Sequence, residues 1–244
     1  MDILLPAPAP SKLLQTLGAG LAGLMLAGAT SCGENNPPTP PCIEITPPAD
    51  LEPTVTDVIE NGVDFWETKG VTLTLDHPRY FQKSDSPCRL SGSEILRGTS
   101  FFNRHLGQIS IRKTSKVTHK KPVETQVVIA HEVGHAVQAR KGQTYHPKDD
   151  NERRDLKILK EAGADCYAGM LVADRYPDDK QAAAEFTGDH GDDTHSTGST
   201  RKRAFLIGAQ EGAKQDVCSY TALSDKLDIP LPGDSQPTVG QADL

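Results

Sequence analysis

The stretch Val127-Val128-Ile129-Ala130-His131-Glu132-Val133-Gly134-His135 decides how this chain reads. From residue 123 to about Arg140 the pattern is helical, and Gly142 ends it. Positions four apart on a helix share one face, about 6 Å apart along the axis. His131 and His135 can therefore turn both imidazoles onto one tetrahedral ion. Glu132 is rotated by one residue and can point past that ion to a bound water. Zn2+ suits such a pair: it lowers the pKa of its water towards about 7 and polarises a carbonyl, while a carboxylate placed like Glu132 takes the proton. The flank Val127 to Ala130 is apolar, which marks a buried helix, and a buried ionisable cluster needs partners.

Working outward, a second long helix is expected from about Asn151 to Arg175, stopped by Tyr176-Pro177. Its middle reads Glu161-Ala162-Gly163-Ala164-Asp165. Glu161 can complete a His2Glu set and leave a fourth position for water. Asp165, one turn on, can accept a hydrogen bond from the free nitrogen of a metal-bound imidazole. Ala162, Gly163, Ala164, Ala168 and Gly169 are small enough to let the two helices approach closely. Glu152 is the competing ligand, but it sits near the helix start with no aspartate four residues on.

Around these helices the pattern is α+β, a small strand layer over a helical core. A helix is expected over 54–70, capped by Thr54 or Thr56 and stopped by Gly70. Residues 71–75 and 108–112 alternate apolar and polar side chains as half-buried strands do, and 76–106 looks irregular. A short helix fits 179–186, a polar loop runs from Thr187 to Thr197, and a last helix fits Ser199 to Lys214.

Both ends of the chain read differently. Lys12 precedes an apolar run from Leu17 to Ala29, too short to span a bilayer but suited to a signal peptide. It ends in Ala29-Thr30-Ser31-Cys32, which resembles a bacterial lipobox, with Ala29 where a leucine is usual. That implies a lipid on Cys32; ordinary signal cleavage near Ala29 or Ser31 would leave a plain thiol. Prolines cluster between Pro37 and Pro53 and again at Pro230, Pro232 and Pro237. The expected organisation is a signal at 1–31, a flexible tether at 32–53, a domain at 54–222 and a disordered tail at 223–244. A net charge of −7 argues against nucleic acid as a partner, and the basic run Arg112 to Lys121 reads as a solvated loop. Setting Cys32 aside leaves Cys42, Cys88, Cys166 and Cys218, an even number with three possible pairings in an exported protein.

His131 to Gln138, HEVGHAVQ, followed by Glu161 to Gly169, EAGADCYAG, resembles the gluzincin peptidases and most closely the bacterial neutral zinc metallopeptidase family. Val63-Asp64-Phe65-Trp66 is similar to that family's early tryptophan-bearing helix. Asp193-Thr194-His195-Ser196-Thr197-Gly198-Ser199, with Arg203, Phe205 and Gly208, is similar to its third block. The resemblance covers roughly 54–220 in broken blocks, and Ala136 stands where the family often has a third histidine. It implies a zincin-like core, zinc on His131, His135 and Glu161, and Glu132 as general base. His195 becomes the candidate for stabilising the oxyanion, with His190 as its competitor. Arg203 would orient His195 or bind a substrate carboxylate, or equally be an ordinary arginine of the helix surface. The family's cysteine near the C-terminus implies a Cys166–Cys218 bridge, which leaves Cys42 with Cys88. The expected activity is peptide-bond hydrolysis on protein or peptide substrates. The expected place is the bacterial cell envelope, anchored to a membrane through Cys32 and facing the periplasm or exterior. The alternative is a non-enzymatic envelope lipoprotein that keeps the zinc site for structure or binding.

Overall fold

The computed structural model describes residues 39–231, apart from 83–87, 91–94, 97–99, 105–106, 113–121, 144–146, 192–195 and 213–214. The chain divides into Met1–Pro38 and Thr39–Leu244, and every described residue belongs to the second unit. Cys32, with the signal and lipid-anchor expectations, lies outside the described residues, as does His195.

The architecture is α+β. The first half of the domain contributes β1 (Glu44–Ile45), α1 (Glu52–Thr68), β2 (Asp76–Phe81), β3 (Cys88–Arg89), β4 (Ile95–Leu96), β5 (Ser100–Asn103) and β6 (Gln108–Arg112). The second half contributes α2 (Pro122–Arg140), α3 (Asp150–Arg175), α4 (Lys180–Gly188), α5 (Gly198–Glu211) and α6 (Tyr220–Leu227). Four strands form one sheet in the order β1-β2-β6-β5, and β3 pairs with β4 apart from it. β2 and β6 run parallel, and β5 lies antiparallel to β6 at the end of the order. No described helix is long and apolar enough to cross a membrane.

α1 starts earlier than the threonine caps suggest, because Pro53 suits the first turn, and it buries Val55, Val58, Ile59, Phe65 and Trp66 on one face. Gly70 then takes a φ of +75° and ends the run. Residues 71–75 bury Val71 and Leu73 on the core side, but among the described residues they pair with no strand; the ladder starts only at Asp76. Alternation there reports a packing face and not a sheet position. β2 falls inside the stretch that looks irregular because Pro78 interrupts its pattern, and the register shifts between Asp76 and Arg79 where that proline lacks an N–H.

Residues 39–53 of the expected tether and 223–231 of the expected tail are among the described residues and belong to the fold. From Thr39 onward the chain is laced in: Cys42 bonds to Cys88, β1 pairs with β2, and Glu44 takes a paired contact from Arg79. At the other end α6 runs past residue 222, with Leu223 buried and Leu227, Ile229 and Leu231 packed on the core. The fold therefore continues to residue 231, and 232–244 lies outside the described residues.

The helical layer is held by close approach of small residues. A Cβ on Gly169 would strike the backbone of Phe205 on α5, and one on Gly208 would strike the backbone of Cys166 on α3. The Cys166–Cys218 disulfide, with a sequence separation of 52, fastens α3 to the short turn at Gln215–Cys218 ahead of α6. On the chain-entropy estimate, closing that loop contributes roughly 4 kcal/mol, less any strain.

Candidate metal centre

The centre lies where α2 crosses α3. Gly134 marks the crossing: a Cβ there would sit 2.5 Å from the Ala164 carbonyl oxygen and 3.0 Å from its Cα. On α2, His131 and His135 stand one turn apart, their ring centroids separated by 4.7 Å and their planes at 86°. Glu161, from the middle of α3, turns one oxygen to both. Its Oε2 lies 3.2 Å from His131 Nε2 and 3.5 Å from His135 Nε2. One donor atom from each residue lies within 4.8 Å of the others, so the group can hold a metal ion. A four-coordinate ion with bonds of about 2.0–2.1 Å sets its donors roughly 3.3 Å apart, and 3.2 and 3.5 Å straddle that spacing. Two imidazoles and one carboxylate are a donor set suited to a first-row transition ion.

Each histidine is gripped from behind, by different chemistry. His131 Nδ1 lies 2.7 Å from Asp165 Oδ1. Asp165 is fully buried, and Arg201 of α5 closes on it with Nε donating to Oδ2 and Nη2 to Oδ1, each at 2.8 Å. The same guanidinium reaches back through Nη1 to the His190 carbonyl at 2.8 Å, so one arginine ties α3, α5 and the loop after α4 together. His135 Nδ1 lies 2.9 Å from Gln138 Oε1, and Gln138 Nε2 donates to the Lys160 carbonyl at 2.7 Å.

The charges are arranged to favour a cation between the rings. Burial alone would push the His131 imidazolium down, but the carboxylates of Asp165 and Glu161 outweigh it and raise the ring to about 10. Burial likewise pushes Glu161 up, and the hydrogen bonds from His131 and His135 overcome it and hold the acid well below the usual range. Burial opposes ionisation of Asp165 too, yet His131 and Arg201 keep its pKa low. A divalent cation entering this site displaces a proton from His131.

Glu132 is buried and is not one of the three donors. Its Oε1 accepts a 2.7 Å hydrogen bond from Ser100 Oγ on β5, the strand against which this part of α2 packs. Among the described residues the carboxylate is thus fixed through one oxygen, Oε1.

The remaining candidates separate clearly. Glu152 serves the start of α3, where its Oε2 accepts from the Lys148 N–H and its own N–H donates to the Asp149 side chain. His190 Nδ1 lies 2.7 Å from the Phe186 carbonyl and its ring stacks on Phe186, so its backbone, not its ring, joins the network behind His131. Arg203 is exposed, and it is the half-buried Arg201 that reaches Asp165. Ser100, Gln138 and Arg201 are contributors beyond the candidates named from the sequence. Comparison of the chain with protein-family models, with curated proteins and with solved structures returns no match.

Proposed function

We propose that the protein is a zinc-dependent metallopeptidase that hydrolyses peptide bonds in protein or peptide substrates. The observation that carries this is a buried carboxylate, Glu132, next to His131 on α2 and fixed by Ser100, that is not one of the three donors His131, His135 and Glu161. A purely structural metal site needs its ligands and no poised base. The chemistry a zinc ion supplies on those three residues is Lewis acidity and an acidified water. Glu132 Oε2 takes the proton of the attacking water and passes it to the departing amine as the C–N bond breaks, while Oε1 stays with Ser100. Asp165 keeps His131 Nδ1 engaged, so that its Nε2 faces the donors. β5 ends the strand order next to α2, and an extended peptide can add to such an edge through main-chain hydrogen bonds.

Two disulfides fit an oxidising compartment. With the signal-like run and Cys32, they support an envelope protein anchored to a membrane by a lipid on that cysteine. One preparation tests the whole proposal. Protein extracted from membranes is expected to carry about one zinc and a diacylated N-terminal Cys32 by mass spectrometry, and to cleave unfolded casein in a chelator-sensitive way. Glu132→Ala is expected to keep the zinc and lose activity by about 100- to 10,000-fold. Bound zinc with no cleavage by the unaltered protein returns the alternative, a lipoprotein with a structural or binding metal site. A variant that loses the metal, or keeps full activity, refutes the assignment of Glu132 as base.

A further inference from the structure

Gln138 lies three residues past His135, is 3% exposed, and has both ends of its amide engaged. The Lys160 carbonyl can only accept, so the amide end facing it must be the NH2 group, Nε2, at 2.7 Å. That orientation leaves Oε1 toward His135 Nδ1 at 2.9 Å, and an amide oxygen can only accept. His135 must then carry a proton on Nδ1, which leaves Nε2, on the Glu161 side, as the ring nitrogen that would give up its own proton and bind a metal ion. A single side chain fixes the tautomer of one ligand, and it does so by anchoring to the backbone carbonyl one residue before another ligand, Glu161. Gly163 makes room for it: a Cβ there would collide with Gln138 Nε2, and only glycine leaves the space.

We propose that Gln138 is a positioning residue of the metal centre, setting the proton and the ring orientation of His135 and holding it to the turn of α3 that presents Glu161. The proposal rests on the metallopeptidase reading for the presence of the ion. His131 has an ionic support in Asp165 and Arg201, whereas His135 has a neutral one. Loss of Gln138 therefore affects one ligand and leaves the other in place.

The test uses the full chain and two variants, Gln138→Met, which keeps the bulk and removes both hydrogen bonds, and Gly163→Ala, whose methyl displaces the amide. Zinc affinity is measured by chelator competition, and the ring Nδ1–H signals of the zinc-loaded protein are followed by NMR for exchange with water. Expected for both variants is a 10- to 100-fold loss of zinc affinity, with faster exchange at His135 Nδ1–H and an unchanged His131 Nδ1–H signal. If Gln138→Met does not fold, Gly163→Ala, which favours the helix, carries the test. Unchanged affinity and unchanged His135 exchange, with or without a lower melting temperature, overturn the proposal and leave the peptidase untouched. Zinc bound with the expected losses but no casein cleavage by the unaltered protein overturns the peptidase and supports the role of Gln138. An unaltered protein that takes up no zinc overturns both.

Discussion

Alanine at Gly134 sets two effects of opposite sign against each other. In an exposed helix the change favours folding by about 1 kcal/mol, because glycine loses more backbone freedom. Here the new methyl points at α3. At 2.5 Å from the Ala164 oxygen it falls about 0.9 Å short of the ~3.4 Å at which ordinary contact begins, and the atom it meets is backbone that cannot swing aside. α2 and α3 must part by most of that distance. Overpacking of this kind costs about 1–3 kcal/mol, so after the gain in propensity the net expectation is a loss of stability of about 0–2 kcal/mol. The larger effect falls on the metal, since His131 and His135 ride on one helix and Glu161 on the other. Separations of 3.2 and 3.5 Å would open towards about 4 Å, and sites of this kind tolerate roughly 0.5 Å. Zinc affinity is expected to fall at least tenfold. Urea unfolding of the metal-free protein gives the first quantity and chelator competition the second. A variant more stable by about 1 kcal/mol with unchanged zinc affinity would refute the close crossing as the reason for glycine at this position.

Three further predictions concern the charges behind the site. His131 is raised from 6.5 to about 10, so its contribution to the metal-free fold is complete below about pH 6.5 and disappears as pH rises through about 10. Glu161 and Asp165 are lowered, so theirs is present above their ordinary pKa values and lost as pH falls through the lowered ones. The melting temperature of chelator-treated protein should therefore fall from pH 7 to 10 while that of zinc-loaded protein stays flatter, and zinc binding near pH 7.5 should release about one proton from His131, read by calorimetry in buffers of different ionisation enthalpy. Arg201→Leu strips a buried carboxylate of its bidentate partner and should cost about 3–5 kcal/mol in denaturant unfolding, with part recovered when Asp165→Asn is added; a loss below 1 kcal/mol would show that the pair contributes little.

The helices that carry the centre are legible because their signals are local. The His131–His135 spacing and the Glu161–Asp165 spacing each lie within one helix, so a 3.6-residue period alone assigns their faces. The strand layer is less legible. β2 holds a proline, and residues 71–75 show a strand's alternation without its ladder among the described residues, since burial of Val71 and Leu73 in the core imposes the same period as a sheet would. Ser100 gives no signal of its own: a serine opening a four-residue strand looks like any other until β5 is set against α2 and its hydroxyl meets Glu132.

Arg201 and Gln138 are different, because their signals are present in the sequence. On α5 the buried residues are Ala204, Phe205 and Gly208. Continued back by three and four residues, that stripe reaches Arg201 and misses Arg203, which stands two positions, about 200°, away around the helix. Arg201 is thus the arginine that faces α3, where it meets the buried Asp165. On α2 the face defined by His131 and His135 continues to Gln138, seven and three residues on. An amide buried between two helices needs partners for both of its ends, and the Nδ1 of a metal-facing histidine needs one acceptor. The stripes therefore determine which polar residues turn inward. The distances between helices determine what those residues hold.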